Sequence, residues 1–170
     1  MEAYFDNSAT TIVTDSVKDI VVKTMTEDFG NPSAMHMVGV KAEKYIKEAQ
    51  ENIAKILKVD PKEIFFTSGG TESNNMAIIG TAMANKRKGN KIITTSVEHS
   101  SVLATMKYLE EQGFEVIYLP VDRYGVVQME ALEKEMTEDT ILVSTMYVNN
   151  EVGAIEPVGE IGQYIKKVNP

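Results

Sequence analysis

Three short polar clusters carry residue types that can do chemistry. Ser68-Gly69-Gly70-Thr71 joins two glycines to a hydroxyl. Glycines let backbone approach a ligand without a Cβ clash. If a helix starts there, its free N–H groups and dipole make an anion site, phosphate above all. Gly70 and Thr71 are the candidate ligand-holding residues. No Gly-Lys-Ser/Thr follows and the spacing is not GxGxxG, so neither common nucleotide fingerprint is present. The plainer alternative is a turn with Thr71 as helix N-cap.

His99, in Ser96-Val97-Glu98-His99-Ser100, is one of two histidines. Its ring could stack on a flat cofactor, donate a hydrogen bond or move a proton near neutral pH. The alternative is a packed or capping histidine. No ligand spacing of the HExxH kind surrounds it, so no metal site is expected. Asn149-Asn150-Glu151 supplies amides that donate and accept together, suited to a phenolic oxygen or a carboxylate. Equally, an Asn pair can simply turn the chain. Asp6 to Thr11 and Gly30-Asn31-Pro32-Ser33 with His36 read first as loops and caps.

These clusters need elements to hold them. Val17, Ile20, Val21 and Met25 share one helical face between Asp15 and Phe29. Ala42, Tyr45, Ile46, Ala49, Ile53, Ile56 and Leu57 follow the period of an amphipathic helix, stopped by Asp60-Pro61. Apolar runs at 64–67, 92–95, 115–119 and 141–146 read as strands. Helices are expected over 71–84, 101–111, 129–136 and 158–168. Strands alternating with helices give an α/β fold with a mostly parallel sheet flanked by helices. The apolar continuity of the strands suits burial on both faces. Ligands of such sheets bind beyond the carboxyl ends of the strands, where all three clusters fall. The ten methionines fit core-like helical spacing. Lys44, Lys47, Lys55 and Lys58 lie on a solvated face, and none reads as a desolvated Schiff-base lysine.

The 170 residues allow about one domain. A net charge of −8 argues against a nucleic-acid partner. No apolar run approaches the roughly 20 residues of a membrane helix. The first residues, with Glu2 and Asp6 and no basic stretch, do not read as a signal peptide. There is no cysteine, which excludes disulfides, thiolate metal ligation and a thiolate nucleophile from this chain. A cysteine-free chain suits a reducing cytoplasm.

Taken together, the motifs resemble the cysteine desulfurases of the class V aminotransferase group, which bind pyridoxal 5'-phosphate. The resemblance rests on Tyr4-Phe5-Asp6-Asn7-Ser8-Ala9-Thr10-Thr11, Gly30-Asn31-Pro32-Ser33 with His36, and Phe66-Thr67-Ser68-Gly69-Gly70-Thr71-Glu72-Ser73-Asn74-Asn75. Glu98-His99, Leu142-Val143-Ser144 and Asn149-Asn150-Glu151-Val152-Gly153 continue it in order. It implies the N-terminal portion of the large domain of a fold-type I pyridoxal-phosphate transferase. Residues 1–14 would belong to the small domain and 15–170 to the large one.

The same resemblance assigns roles. Gly70 and Thr71 would hold the cofactor phosphate. His99 would stack over the pyridine ring and could shuttle protons. Asn150 would bond the ring oxygen and help seat the substrate carboxylate. Family members continue with a ring-nitrogen aspartate, a Schiff-base lysine and a persulfide-forming cysteine, all beyond Pro170. The implied activity is conversion of L-cysteine to L-alanine with transfer of sulfur to an acceptor, such as an iron–sulfur scaffold protein or a tRNA-thiolation system. A homodimer is implied as well. The 170 residues alone, as a truncated or split product, are expected to be inactive. Alternatives are a selenocysteine lyase, another class V aminotransferase, or a non-catalytic half-domain that binds a partner chain.

Overall fold

Ile92 and Ile93 are adjacent in the central strand, and both are fully buried. Successive strand residues point to opposite faces, so two cores form, one on each side of the sheet. A computed structural model describes residues 3–169. Strand β1 (Lys91–Thr95) lies between β2 (Glu115–Leu119) and β3 (Thr140–Ser144), and both pairings are parallel. Ile92 packs with Ile78, Ala82, Val102, Met106, Leu109 and Phe114. These come mainly from helices α3 (Gly70–Asn85) and α4 (Ser100–Glu111). Ile93 packs on the opposite side with Leu119, Val127, Leu132, Met136 and Ile161, under α5 (Met129–Glu135) and α6 (Val158–Val168). The parallel, helix-covered sheet is the expected α/β arrangement.

The described residues divide into two compact units that part between Phe66 and Thr67. The expected segment 1–14 falls in the first, and its Met1 and Glu2 lie outside the described residues, as does Pro170. The first unit is helical. It holds α1 (Asp15–Thr26), α2 (Met37–Leu57) and a 3-10 turn over Pro61–Glu63. Asp28, just past α1, is buried and gathers Lys41 at 2.5 Å and the Tyr45 hydroxyl at 2.6 Å, both from α2. Those partners hold its carboxyl below the ordinary aspartate range, the Lys41 bond most of all. Helix α2 ends at Lys58 in the left-handed region (φ 57°), just before Asp60-Pro61.

Two expectations fail. Residues 64–67 form no strand. Among the described residues the sheet order gives them no partner strand, and Phe65 and Phe66 are exposed. An apolar run has strand propensity, but a strand exists only through its pairing. The methionines are also not mainly core residues. Met106 and Met136 are buried, but Met25, Met35, Met37, Met76 and Met83 are exposed. Helical spacing places a residue on a face and does not ensure that the face is covered.

Candidate functional site

Helix α3 begins where the Ser68-Gly69-Gly70-Thr71 cluster ends. Its N-cap is Gly69, with extended backbone and no side-chain cap. Thr71 is therefore inside the first turn, and the reading of Thr71 as N-cap is corrected. Ser73 N–H makes the first i→i−4 bond, to Gly69 O at 3.1 Å. The amides before it have no intrahelical carbonyl to reach, as at any helix start. A Cβ added at Gly69 or Gly70 would meet nothing within 4 Å, so the space beside these two Cα atoms is open. Thr71 is exposed beside that space. Glu72, the one acidic residue of the turn, is folded back. Its carboxylate accepts from Ser68 N–H and from the Ser68 hydroxyl, each at 2.6 Å. Those bonds hold it below the ordinary glutamate range and keep the loop in shape.

His99 caps helix α4. Its Nδ1 accepts from Ser101 N–H at 3.1 Å. The capping reading is thus correct for one ring nitrogen, yet the residue stays exposed, and among the described residues nothing bonds its other nitrogen. His36 behaves similarly at α2, with Nδ1 accepting from Gly39 N–H at 3.2 Å. Around His36 the cap reading accounts for every bond the ring makes among the described residues.

Asn150 is exposed, and its Nδ2 donates to Glu151 Oε1 at 3.2 Å. Its neighbour Asn149 is buried and does the structural work of the pair. Asn149 Oδ1 accepts from the N–H groups of Glu151 and Val152, at 2.8 and 2.9 Å. Its Nδ2 donates to Val97 O at 2.9 Å. That last bond ties the Asn150 loop to the His99 loop.

Glu98 makes a second tie between the same loops. Its buried Oε1 accepts from the Thr95 hydroxyl and from Met146 N–H, each at 2.8 Å. Burial pushes this carboxyl up; the two hydrogen bonds oppose that shift, and the charge of Glu156 adds to it. A third tie joins His99 to helix α3. Asn74 Nδ2 donates to Ser101 Oγ at 2.9 Å, and Ser101 Oγ lies 2.8 Å from His99 Nδ1. The three clusters therefore form one hydrogen-bonded group at the carboxyl ends of β1 and β3.

Sequence reasoning finds Gly70, Thr71, His99 and Asn150 but not the residues that connect them. Asn74, Glu98, Ser101 and Asn149 act across 27 to 52 residues of chain. Asn74, Glu98 and Asn149 stand within the sequence motifs but without a role of their own, and Ser101 has no signal beyond its place two residues after His99. Among the described residues no cluster of three His, Asp or Glu side chains is placed to hold a metal ion. No helix of the described residues is long and apolar enough to cross a membrane.

The class-V aminotransferase profile matches residues 3–170. The chain belongs to the class-V aminotransferase family. It is 48% identical over 168 residues to cysteine desulfurase IscS of Clostridium botulinum strain Hall, covering 99% of this chain and 42% of that protein. It is 50% identical over 164 residues to cysteine desulfurase IscS of Methanosarcina thermophila, covering 96% and 41%. The chain thus spans about two-fifths of the length of these curated relatives. Among solved structures it resembles a NifS-like protein, with a TM-score of 0.94 and 48% identity over 99% of this chain and 46% of the other. A second, SspA in complex with cysteine, gives a TM-score of 0.89 and 38% identity, covering 96% and 47%. Enzymes of this class-V group are pyridoxal-phosphate dependent.

The residues present fit that cofactor. The uncapped start of α3 at Gly70, with open space beside the Gly69 and Gly70 Cα atoms, suits a phosphate. An exposed imidazole and an exposed carboxamide stand on loops bonded to the same framework.

Proposed function

We propose that this chain supplies the phosphate- and ring-holding part of a pyridoxal-phosphate cysteine desulfurase. The carrying observation is the hydrogen-bonded joining of the three loops through Asn74, Ser101, Glu98 and Asn149. Isolated caps and turns would need no such links. The amides of Gly70 and Thr71 and the Thr71 hydroxyl hold the phosphate. His99 stacks on the ring, and Asn150 bonds the ring oxygen and orients the substrate carboxylate.

When bound, the cofactor serves as the electron sink for breaking bonds at the substrate's α-carbon and its neighbours. The overall reaction takes L-cysteine and an acceptor thiol to L-alanine and a persulfide. The description of one similar structure, SspA in complex with cysteine, supports the choice of substrate. The chain holds no cysteine to receive the sulfur, and none of its lysines stands in the loop group. By itself it therefore forms no alanine. In the whole protein, residues 1–14 belong to a small domain, the enzyme is a cytoplasmic homodimer, and an iron–sulfur scaffold protein takes the sulfur.

Equilibrium dialysis of the purified chain against pyridoxal phosphate tests the reading. Saturable binding is expected. Hydrogen bonds to charged groups contribute about 1.5–3 kcal/mol each, so Thr71→Val should weaken binding roughly 10- to 100-fold. Binding that is unsaturable, or unchanged by Thr71→Val and His99→Ala, contradicts it.

A further inference from the structure

The start of α4 determines which nitrogen of His99 carries the proton. An amide N–H can only donate, so the Ser101 N–H at 3.1 Å requires a lone pair on Nδ1. The Ser101 hydroxyl stands 2.8 Å from the same nitrogen. Asn74 Nδ2 donates to that hydroxyl oxygen at 2.9 Å, which leaves the O–H to point at Nδ1. The group is packed in place. Ser101 and Thr105 are buried, and the Thr105 hydroxyl lies 2.8 Å from Ser101 O and 2.9 Å from Asn75 Oδ1. Asn75 in turn donates to Thr71 O at 2.7 Å.

We propose that Ser101 and Asn74 are positioning residues that hold His99 Nδ1 as an acceptor, so that the neutral ring carries its proton on Nε2. His99 then meets a ligand as a hydrogen-bond donor. Its one free lone pair is turned toward Ser101, so the neutral ring does not act as a base toward the open side. The use of that donor rests on the reading of His99 as a cofactor-facing group; the proton's location does not.

Two-bond proton–nitrogen NMR of the imidazoles, on the 15N-labelled chain at pH 8, reads this directly. The chain has only two histidines, and His36 serves as an internal reference. His99 is expected to give a pyridine-like Nδ1 and a pyrrole-like Nε2. A pyrrole-like Nδ1 overturns the proposal. Ser101→Ala removes the hydroxyl, and Asn74→Asp draws its hydrogen away from the ring. Each should move Nδ1 toward its unbonded position and leave the His36 pattern intact. No movement in either variant also overturns the proposal. If one variant unfolds, the amide pattern of β1, β2 and β3 in the same unit is lost with it, and the other variant and the unaltered chain still decide. Added pyridoxal phosphate separates the two readings. The expected tautomer with no response to the cofactor removes the cofactor reading alone; the opposite tautomer with a response removes this proposal alone.

Discussion

Helices α1 and α4 have similar length and similar apolar patterning, yet they differ in what they bury. Helix α4 buries Val102, Met106 and Leu109 in the core on one face of the sheet. Helix α1 buries nothing, and Ile20 and Met25 remain 48% and 73% exposed. The same contrast separates the two compact units. The unit from Thr67 has two closed cores and a buried polar group that holds the site loops. The unit up to Phe66 holds together through Asp28 and the close packing under α2. Amphipathicity in a sequence says what a helix can bury, and the contrast shows that it does not say what it has buried.

The largest test of that contrast is truncation. Met106→Ala or Leu132→Ala should cost about 2–5 kcal/mol in urea unfolding, because both side chains are fully enclosed. Ile20→Ala in α1 should stay within about 0.5 kcal/mol. Equal costs would erase the distinction.

A smaller effect probes the first unit on its own terms. A Cβ at Gly39 would sit 2.3 Å from Ala34 O and 2.7 Å from Asn31 O, both backbone atoms. Gly39→Ala should therefore destabilise this unit by about 1–3 kcal/mol, seen as faster amide exchange across α2.

The smallest effects concern pH, and they have opposite signs. Lys41 and Tyr45 hold the folded-state pKa of Asp28 below its ordinary value. Its contribution is complete above pH of about 4 and is lost as pH falls through the lowered value. Glu98 is raised by burial. Its contribution is complete below its unfolded value, about 4.3, and is lost as pH rises through the raised one. Region-resolved amide exchange against pH should show the first unit loosening in acid and the second gaining protection there. Asp28→Asn and Glu98→Gln should each flatten one of the two profiles.

Much of the second unit was legible in the sequence. Strand β2 and helix α6 match their expected bounds, and β1, β3, α3, α4 and α5 match to within two residues. Their patterns are complete because both partners, strand and covering helix, lie within the chain. The run at 64–67 was misleading for the converse reason, since nothing among the described residues pairs with it. The site residues were legible because glycine, histidine and asparagine are conspicuous at strand ends. Their supports were not. Glu98 and Asn149 are motif residues and Ser101 an ordinary cap neighbour in the sequence, and their linking role is set only when the fold brings Met146, Val97 and Asn74 to them.

The central claim is that three loops, separate in sequence, form one ligand-binding unit. The most direct measurement follows the backbone amide resonances of the 170-residue chain while pyridoxal phosphate is added. Gly70, Thr71, His99 and Asn150 should shift together on a single saturation curve, with α1 unmoved. Shifts confined to one loop, or spread over surface lysines without saturation, would contradict the account.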